Sequence, residues 1–233
     1  MTDRRQQIAT DLEVVRGRID AACAAAGRSS EEVTLVVVTK FFPASDVRLL
    51  ADLGVRDVGE NRHQEAVEKA AECVDLGLRW HFVGGLQSNK AAAVAAYADA
   101  VHSVDRPKLV SGLGRGAVER GRDLDVLVQV SLDPPGATGR SGVEPDALAP
   151  LAERVMETAG LVLRGVMGVA PLGGDPEDAF ARLGESAAAV RRVDAGATWI
   201  SAGMSADLEQ AVRHGATHLR VGSAVLGPRP PVK

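Results

Sequence analysis

Val33-Thr34-Leu35-Val36-Val37-Val38-Thr39-Lys40 decides how this chain reads. A continuous apolar run dominated by β-branched residues predicts a strand buried on both faces of a parallel sheet. The lysine behind it lies where sheet gives way to loop, the side on which α/β proteins assemble their sites. Partial desolvation there lowers a lysine's pKa and supplies a neutral amine able to attack a carbonyl. A solvated lysine just past a strand is the competing reading, and the rest of the chain has to decide between them.

Further apolar runs follow at roughly 56–58, 79–84, 99–104, 124–132, 161–169, 197–201 and 217–221. Between them, helical spacing occupies 44–53, 62–74, 90–98, 107–121, 145–159, 175–193 and 205–214. Gly54, Gly121, Gly160 and Gly215 fall where helices should stop. Eight β-α units in about 200 residues predict an α/β fold, a (β/α)8 TIM barrel spanning about 33–227. An open doubly wound sheet has fewer strands and a glycine-rich first turn, whereas Lys40-Phe41-Phe42-Pro43 contains no glycine. An extra N-terminal helix over about 3–26 is expected to cover the barrel's N-terminal end or its flank. No linker or low-complexity segment interrupts residues 1–233, so a single domain is expected.

Aromatic residues make up only 3% of the chain, which leaves Val, Leu, Ala and Ile to build the core. A net charge of −4 without a Lys/Arg block argues against nucleic acid or an anionic membrane as partner. Cys23 and Cys73 are far apart and form no CxxC, as expected of buried free thiols in a reducing compartment. The segment Met1 to Gln7 is polar, unlike a signal peptide, and no apolar run is long enough to span a bilayer. A cytoplasmic monomer is the expectation.

Function in such a barrel gathers at the C-terminal ends of the strands. Polar residues occur there at Gly59-Glu60-Asn61, Trp80-His81-Phe82, Gln87-Ser88-Asn89-Lys90 and His102-Ser103-Val104-Asp105. His81 reads equally as an inward-facing barrel histidine or a ligand contact, Lys90 as a solvated side chain, and Ser103 has no assigned role. Glu60 and Asp105 form a conceivable carboxylate pair across the mouth, with solvated or capping roles the simpler reading. More specific are Ser201-Ala202-Gly203-Met204-Ser205, with a helix expected from Ser205, and Arg220-Val221-Gly222-Ser223. Barrel enzymes bind phosphate between the loops after strands 7 and 8, where glycine lets backbone N–H groups approach and serine adds hydroxyls. A lysine amine, a phosphate cradle and Arg220 at one mouth match the aldehyde, phosphate and pyridine nitrogen of pyridoxal 5′-phosphate. No metal site is expected from the histidines, and no GxSxG or Walker motif occurs.

The segments Val38-Thr39-Lys40, Gly59-Glu60-Asn61, His81-Phe82-Val83-Gly84, Leu86-Gln87-Ser88-Asn89-Lys90, Gly203-Met204-Ser205 and Val221-Gly222-Ser223 resemble the pyridoxal phosphate homeostasis protein family, also called the YggS or PROSC family. The likeness runs in order from about Ile8 to Gly227. It implies the fold-type III barrel of the alanine racemase N-terminal domain, with a covalent internal aldimine of pyridoxal phosphate at Lys40. It further implies Arg220 at the pyridine nitrogen, Ser205, Gly222 and Ser223 on the phosphate, and Asn61, Met167 and Ser201 around the ring. An arginine at that nitrogen keeps it unprotonated and weakens the ring as an electron sink. Gly85 and Phe41-Phe42 depart from the common pattern, and the two phenylalanines would alter how the mouth is shielded.

Racemases of this group add a C-terminal β-domain that supplies a tyrosine as second base. Here only a short tail follows Arg220, and the single tyrosine, Tyr97, is expected away from the mouth. Racemisation needs an acid and a base on opposite faces of the substrate carbon. The expectation is therefore a non-catalytic protein that binds, stores or delivers pyridoxal phosphate, with apo-enzymes as recipients. An amino-acid racemase and a Schiff-base aldolase acting on a phosphorylated metabolite are the alternatives.

Overall fold

The structure, a computed structural model, describes residues 2–133 and 141–229. Its elements run α1 (Thr2–Ala25), β1 (Thr34–Val38), α2 (Ala44–Asp52), β2 (Asp57–Glu60), α3 (His63–Glu72), β3 (Arg79–Phe82), α4 (Ala91–Ala95) and β4 (Ala100–Val104). They continue with α5 (Pro107–Arg120), β5 (Leu124–Gln129), α6 (Pro145–Met156), β6 (Leu161–Met167), α7 (Pro176–Val193), β7 (Trp199–Ser201), α8 (Leu208–Arg213), β8 (His218–Val221) and α9 (Ser223–Leu226). The strands form a closed parallel barrel in sequence order, sealed where Thr34 to Val37 of β1 pair with His218 to Val221 of β8. The (β/α)8 expectation is therefore met.

Four of the eight predicted runs, those of β1, β3, β5 and β6, shorten at their C-terminal ends, because the barrel ladder stops there before the apolar sequence does. β5 ends at Gln129 and β6 at Met167. The residues beyond them, Val130 to Leu132 and Gly168 to Ala170, pass into the mouth loops. α8 begins at Leu208, not Ser205. A side-chain-closed turn intervenes there, in which the Met204 N–H donates to Asp207 Oδ1 at 2.6 Å. This leaves Ser205 in a loop rather than in a helix.

α1 lies along the flank of the barrel, the second of its two expected positions. Ile8, Leu12, Val15, Ile19 and Cys23 recur every three or four residues and are all buried. That stripe packs on α8 and α9. Arg4 reaches Asp46 of α2 at 2.6 Å and the Leu226 carbonyl at 3.1 Å. Arg18 pairs with Glu209 at 2.7 Å and donates to the Ser205 carbonyl at 3.0 Å. The extra helix thus steadies the two loops expected to hold phosphate. Cys23 and Cys73 are buried free thiols, and no helix among the described residues is long and apolar enough to cross a membrane.

Apolar side chains fill the layer between strands and helices, but the barrel interior is more polar than the composition suggested. His81, His102 and His218 meet inside it, with ring centroids 5.1 to 6.2 Å apart. Arg220 is buried nearby. His214 and His218 are four residues apart in sequence but take different roles. His214 bonds Glu177 on the outside at 2.6 Å, while His218 faces inward against Trp199. No metal-ligating cluster of three His, Cys, Asp or Glu occurs among the described residues.

Candidate functional site

β1 delivers Lys40 to the mouth through a braced segment. Thr39 is buried; its N–H donates to the Gly59 carbonyl at 2.9 Å and its hydroxyl to Glu60 Oε1 at 2.6 Å. Lys69 of α3 donates to the same carboxylate oxygen at 2.6 Å and to the Thr39 carbonyl at 2.7 Å. Glu60 is 1% exposed, so it is neither solvated, nor a cap, nor half of a carboxylate pair with Asp105. Asp105 pairs instead with Arg106 at 2.5 Å. The buried Glu60–Lys69 pair was illegible in sequence, where Lys69 reads as one more charge on an amphipathic helix.

Lys40 itself is half-buried and forms no hydrogen bond or ion pair among the described residues. Desolvation lowers its pKa most, the Arg229 charge lowers it further, and Glu60 pulls the other way. The next residue, Phe41, takes φ +70°, unusual for an aromatic side chain. Its N–H donates to Glu65 Oε2 at 2.9 Å, and the guanidinium groups of Arg62 and Arg229 lie 5.5 and 5.0 Å from its ring centre. Such a conformation costs on the order of 1–3 kcal/mol and persists only where surrounding contacts enforce it. It places the Phe41 ring centre 6.0 Å from Lys40 Nζ, while Phe42 is buried against the core.

A cavity of about 330 Å³ opens beside Lys40. Asn61, Ser205, Arg220, Gly222 and Ser223 line it together with Lys40, Phe41, Phe42 and Arg229. Six of the residues singled out in sequence thus converge. Met167 instead lines a neighbouring cavity of about 240 Å³, which shares Val83 and Val169 with the first. Ser201 is fully buried behind Arg220 and accepts its Nη1–H at 2.6 Å. His81 points into the barrel core, Ser103 is buried in β4, and Lys90 lines a third cavity of about 580 Å³ that meets the first at Asn61.

On the side of β7 and β8, Ser205 Oγ accepts from the Ala224 N–H and from Ser223 Oγ, both at 3.3 Å. These bonds hold the two loops as one concave edge. Gly203 has φ +86°, and a Cβ there would stand 2.6 Å from the Ala211 Cβ. A Cβ at Gly222 would approach the Val38 carbonyl to 3.1 Å. The chain needs glycine at both points to bring β8 and β1 this close to the cavity. Burial lowers the pKa of Arg220 to about 10, with Asp207 opposing, so it remains a cation at neutral pH.

Among the described residues lining this cavity, Lys40, Arg220 and Arg229 are cationic and none is Asp, Glu, His, Tyr or Cys. Asn61 adds a buried Oδ1 without a protein partner among the described residues. This is a site for an anionic, polar-edged small molecule with an amine at one end. Tyr97 stands elsewhere, between α4 and β4. Its ring stacks on His63 at 5.9 Å, and burial and then Glu60 push its pKa up.

The family model for the N-terminal domain of alanine racemase matches residues 11–230. A pyridoxal phosphate homeostasis protein from Mycobacterium tuberculosis is 46% identical across 97% of this chain and 95% of its own length. The chain belongs to the pyridoxal phosphate homeostasis protein family. Among solved structures, PipY from Synechococcus elongatus with PLP bound superposes with a TM-score of 0.82 at 35% identity, covering 94% of this chain and all of PipY. Alanine racemase from Corynebacterium glutamicum, at 14% identity and a TM-score of 0.69 over 98% of this chain and 63% of the racemase, shares the fold.

Proposed function

We propose that this chain binds pyridoxal 5′-phosphate at the barrel mouth and holds or delivers it without efficient turnover. One observation carries the reading: a cavity with three cationic side chains, one of them a lysine of lowered pKa, and no carboxylate on its described lining. Pyridoxal phosphate brings an aldehyde that condenses with amines, together with a phosphate and a pyridine nitrogen. Lys40 Nζ would meet the aldehyde. Ser205, Ser223 and the backbone at Gly222 would hold the phosphate, and Arg220 would face the ring nitrogen. Asn61 would edge the ring, with Met167 and Ser201 supporting from behind. The Asn61 Oδ1 without a partner among the described residues, and a described lining without a carboxylate, fit such a guest.

The carrier reading rests on the same lining. Moving a proton across a substrate carbon needs two proton-exchanging groups on opposite faces. Lys40 is the one side chain on the described lining that can serve as a base, and its pKa is lowered chiefly by desolvation, whereas the serine hydroxyls, the asparagine amide and the guanidiniums do not serve in that way. Tyr97 is half-buried between α4 and β4, stacked on His63, and is not on that lining. We infer a single barrel unit, working as a cytoplasmic monomer, that keeps the reactive aldehyde sequestered and passes it to apo-enzymes.

Adding pyridoxal phosphate to the purified protein should produce a yellow species, and borohydride should fix the label on Lys40. Lys40→Ala should lose all covalent label while retaining binding through the phosphate contacts. A chain that stays colourless would sink the cofactor reading. Rapid, saturable racemisation of L-alanine or L-serine would overturn the carrier reading and leave cofactor binding standing.

A further inference from the structure

A hydrogen-bonded file of side chains crosses the barrel from Arg220 to its opposite rim. Arg220 Nη1 meets Ser201 Oγ at 2.6 Å, and Ser201 Oγ meets His102 Nδ1 at 2.8 Å. His102 Nε2 meets His81 Nδ1 at 2.9 Å, and His81 Nε2 meets Asp57 Oδ1 at 2.8 Å. Ser201, His102, His81 and Arg220 are all buried, while Asp57 opens β2 at the N-terminal rim and is 17% exposed.

The Asp57 end fixes the direction of this file. A guanidinium can only donate and an ionised carboxylate can only accept. Arg220 donates to Ser201, whose Oγ has room for a second donor, so the direction is read from Asp57, which takes the Nε2–H of His81 and leaves Nδ1 of that ring to accept when it carries one proton. His102 then carries its hydrogen on Nε2 and donates to His81 Nδ1, and His81 donates from Nε2 to Asp57. The bare His102 Nδ1 accepts the Ser201 hydroxyl hydrogen, each one-proton ring is restricted to one tautomer, and all four bonds point the same way, so they reinforce one another.

The surrounding charges agree with that arrangement. Burial holds His102 well below its ordinary pKa, with His81, His218 and Arg220 adding to the effect. Burial opposes the Asp57 charge, but the His81 hydrogen bond and the Arg79 charge outweigh it and lower its pKa. The other groups facing the file are His218, whose Nδ1 is taken by Thr217 at 2.9 Å, and Arg79, itself paired with Asp125 at 3.1 Å. Arg220 is also held by the Gly168 carbonyl, which accepts from Nη2 at 2.9 Å, and it feels Asp207. Two bonds from different nitrogens fix the plane of the guanidinium.

We propose that Asp57, at the far end of the barrel, is a positioning residue for Arg220, acting through the one-way file His81–His102–Ser201. The consequence for a bound ring rests on the pyridoxal phosphate reading: a guanidinium of fixed plane presents a steady donor to the pyridine nitrogen. The file itself is a property of the ligand-free chain. Neither Asp57 nor the histidines line the cavity.

Long-range ¹H–¹⁵N NMR of the ligand-free protein reads the imidazole tautomers directly. His81 and His102 should both be neutral with the proton on Nε2. In Asp57→Asn the amide can donate as well as accept, so the file can reverse and His102 should show a population protonated on Nδ1. Ser201→Ala should leave both tautomers unchanged, because Asp57 sets them. In the loaded protein, Asp57→Asn and Ser201→Ala should each shift the bound cofactor's absorption band and weaken pyridoxal phosphate by up to about tenfold. Affinity for inorganic phosphate should not change. His102 protonated on Nδ1 in the wild type would overturn the proposal even if Asp57→Asn does not fold. So would an Asp57→Asn protein with unaltered tautomers, or one that loses phosphate and pyridoxal phosphate affinity in parallel. If the tautomers behave as stated but the wild type takes up no pyridoxal phosphate, the cofactor reading fails and the file stands.

Discussion

The two ends of the barrel treat charge in opposite ways. At the N-terminal rim, cations and carboxylates match. Arg79 pairs with Asp125 at 3.1 Å, Arg164 pairs with the same carboxylate at 2.7 Å, and His81 donates to Asp57 at 2.8 Å. At the C-terminal mouth, Lys40, Arg220 and Arg229 line one cavity, and no carboxylate lies on its described lining. Gathering three cations around one cavity, one of them buried, costs free energy that a merely structural surface would avoid. The rim closes the barrel. The mouth is left short of an anion that a ligand can supply.

Between the two ends the core holds His102 and His218 uncharged, and acid should break that arrangement with the largest effect. Burial above all lowers His218 from 6.5 to about 3 in the folded chain, and it lowers His102 as well. As pH falls below about 6.5, the unfolded chain takes up protons that the folded chain refuses, so stability declines towards the folded pKa. The slope approaches about 1.4 kcal/mol per pH unit for each such histidine. Urea midpoints should therefore drop steadily from pH 7 to pH 4. A flat profile across that range would mean that these imidazoles are not held neutral inside the barrel.

The second test puts an anion where the mouth lacks one. Ser223→Asp adds a carboxylate to the edge shared by the two serine loops, and like charges brought together cost a bound anion several kcal/mol at most. Affinity for pyridoxal phosphate and for inorganic phosphate should fall together, by on the order of a hundredfold. Calorimetric titration checks both ligands. Loss of pyridoxal phosphate with phosphate unaffected would place the phosphate site elsewhere.

How much of this was legible in the sequence follows from how local each signal is. The strand period, the lysine behind β1 and the glycine-serine loops after β7 and β8 are encoded in short windows, and Lys40, Ser205, Gly222 and Ser223 meet as expected. Met167 and Ser201 carried the right strand ends but the wrong layer. A strand alternates its side chains, yet sequence does not say whether an inward residue reaches the mouth or stops beneath it. Glu60 reads as solvated and Lys69 attracts no notice in sequence, because a buried ion pair joins two elements whose separate sequences each look solvated. The His81–His102 contact is of the same kind, a long-range pairing to which no local pattern points.

The smallest effect separates the two ends most cleanly. Arg229 at the mouth lowers the pKa of Lys40 by its charge, and it is exposed, so its removal should cost little stability. In Arg229→Ala the Lys40 pKa should rise. Because the neutral amine is the attacking form, the midpoint for covalent capture of pyridoxal phosphate should move to higher pH, while the melting temperature stays in place. Arg164→Ala at the opposite rim removes a partly exposed pair with Asp125, worth about 0–1 kcal/mol. It should lower the melting temperature slightly and leave the capture midpoint where it was. The two variants differ only in which end loses a cation, so each serves as the other's control. If Arg164→Ala shifted capture as far as Arg229→Ala does, the mouth would be responding to the chain's total charge, and the contrast between a matched rim and an unmatched mouth would have no functional content.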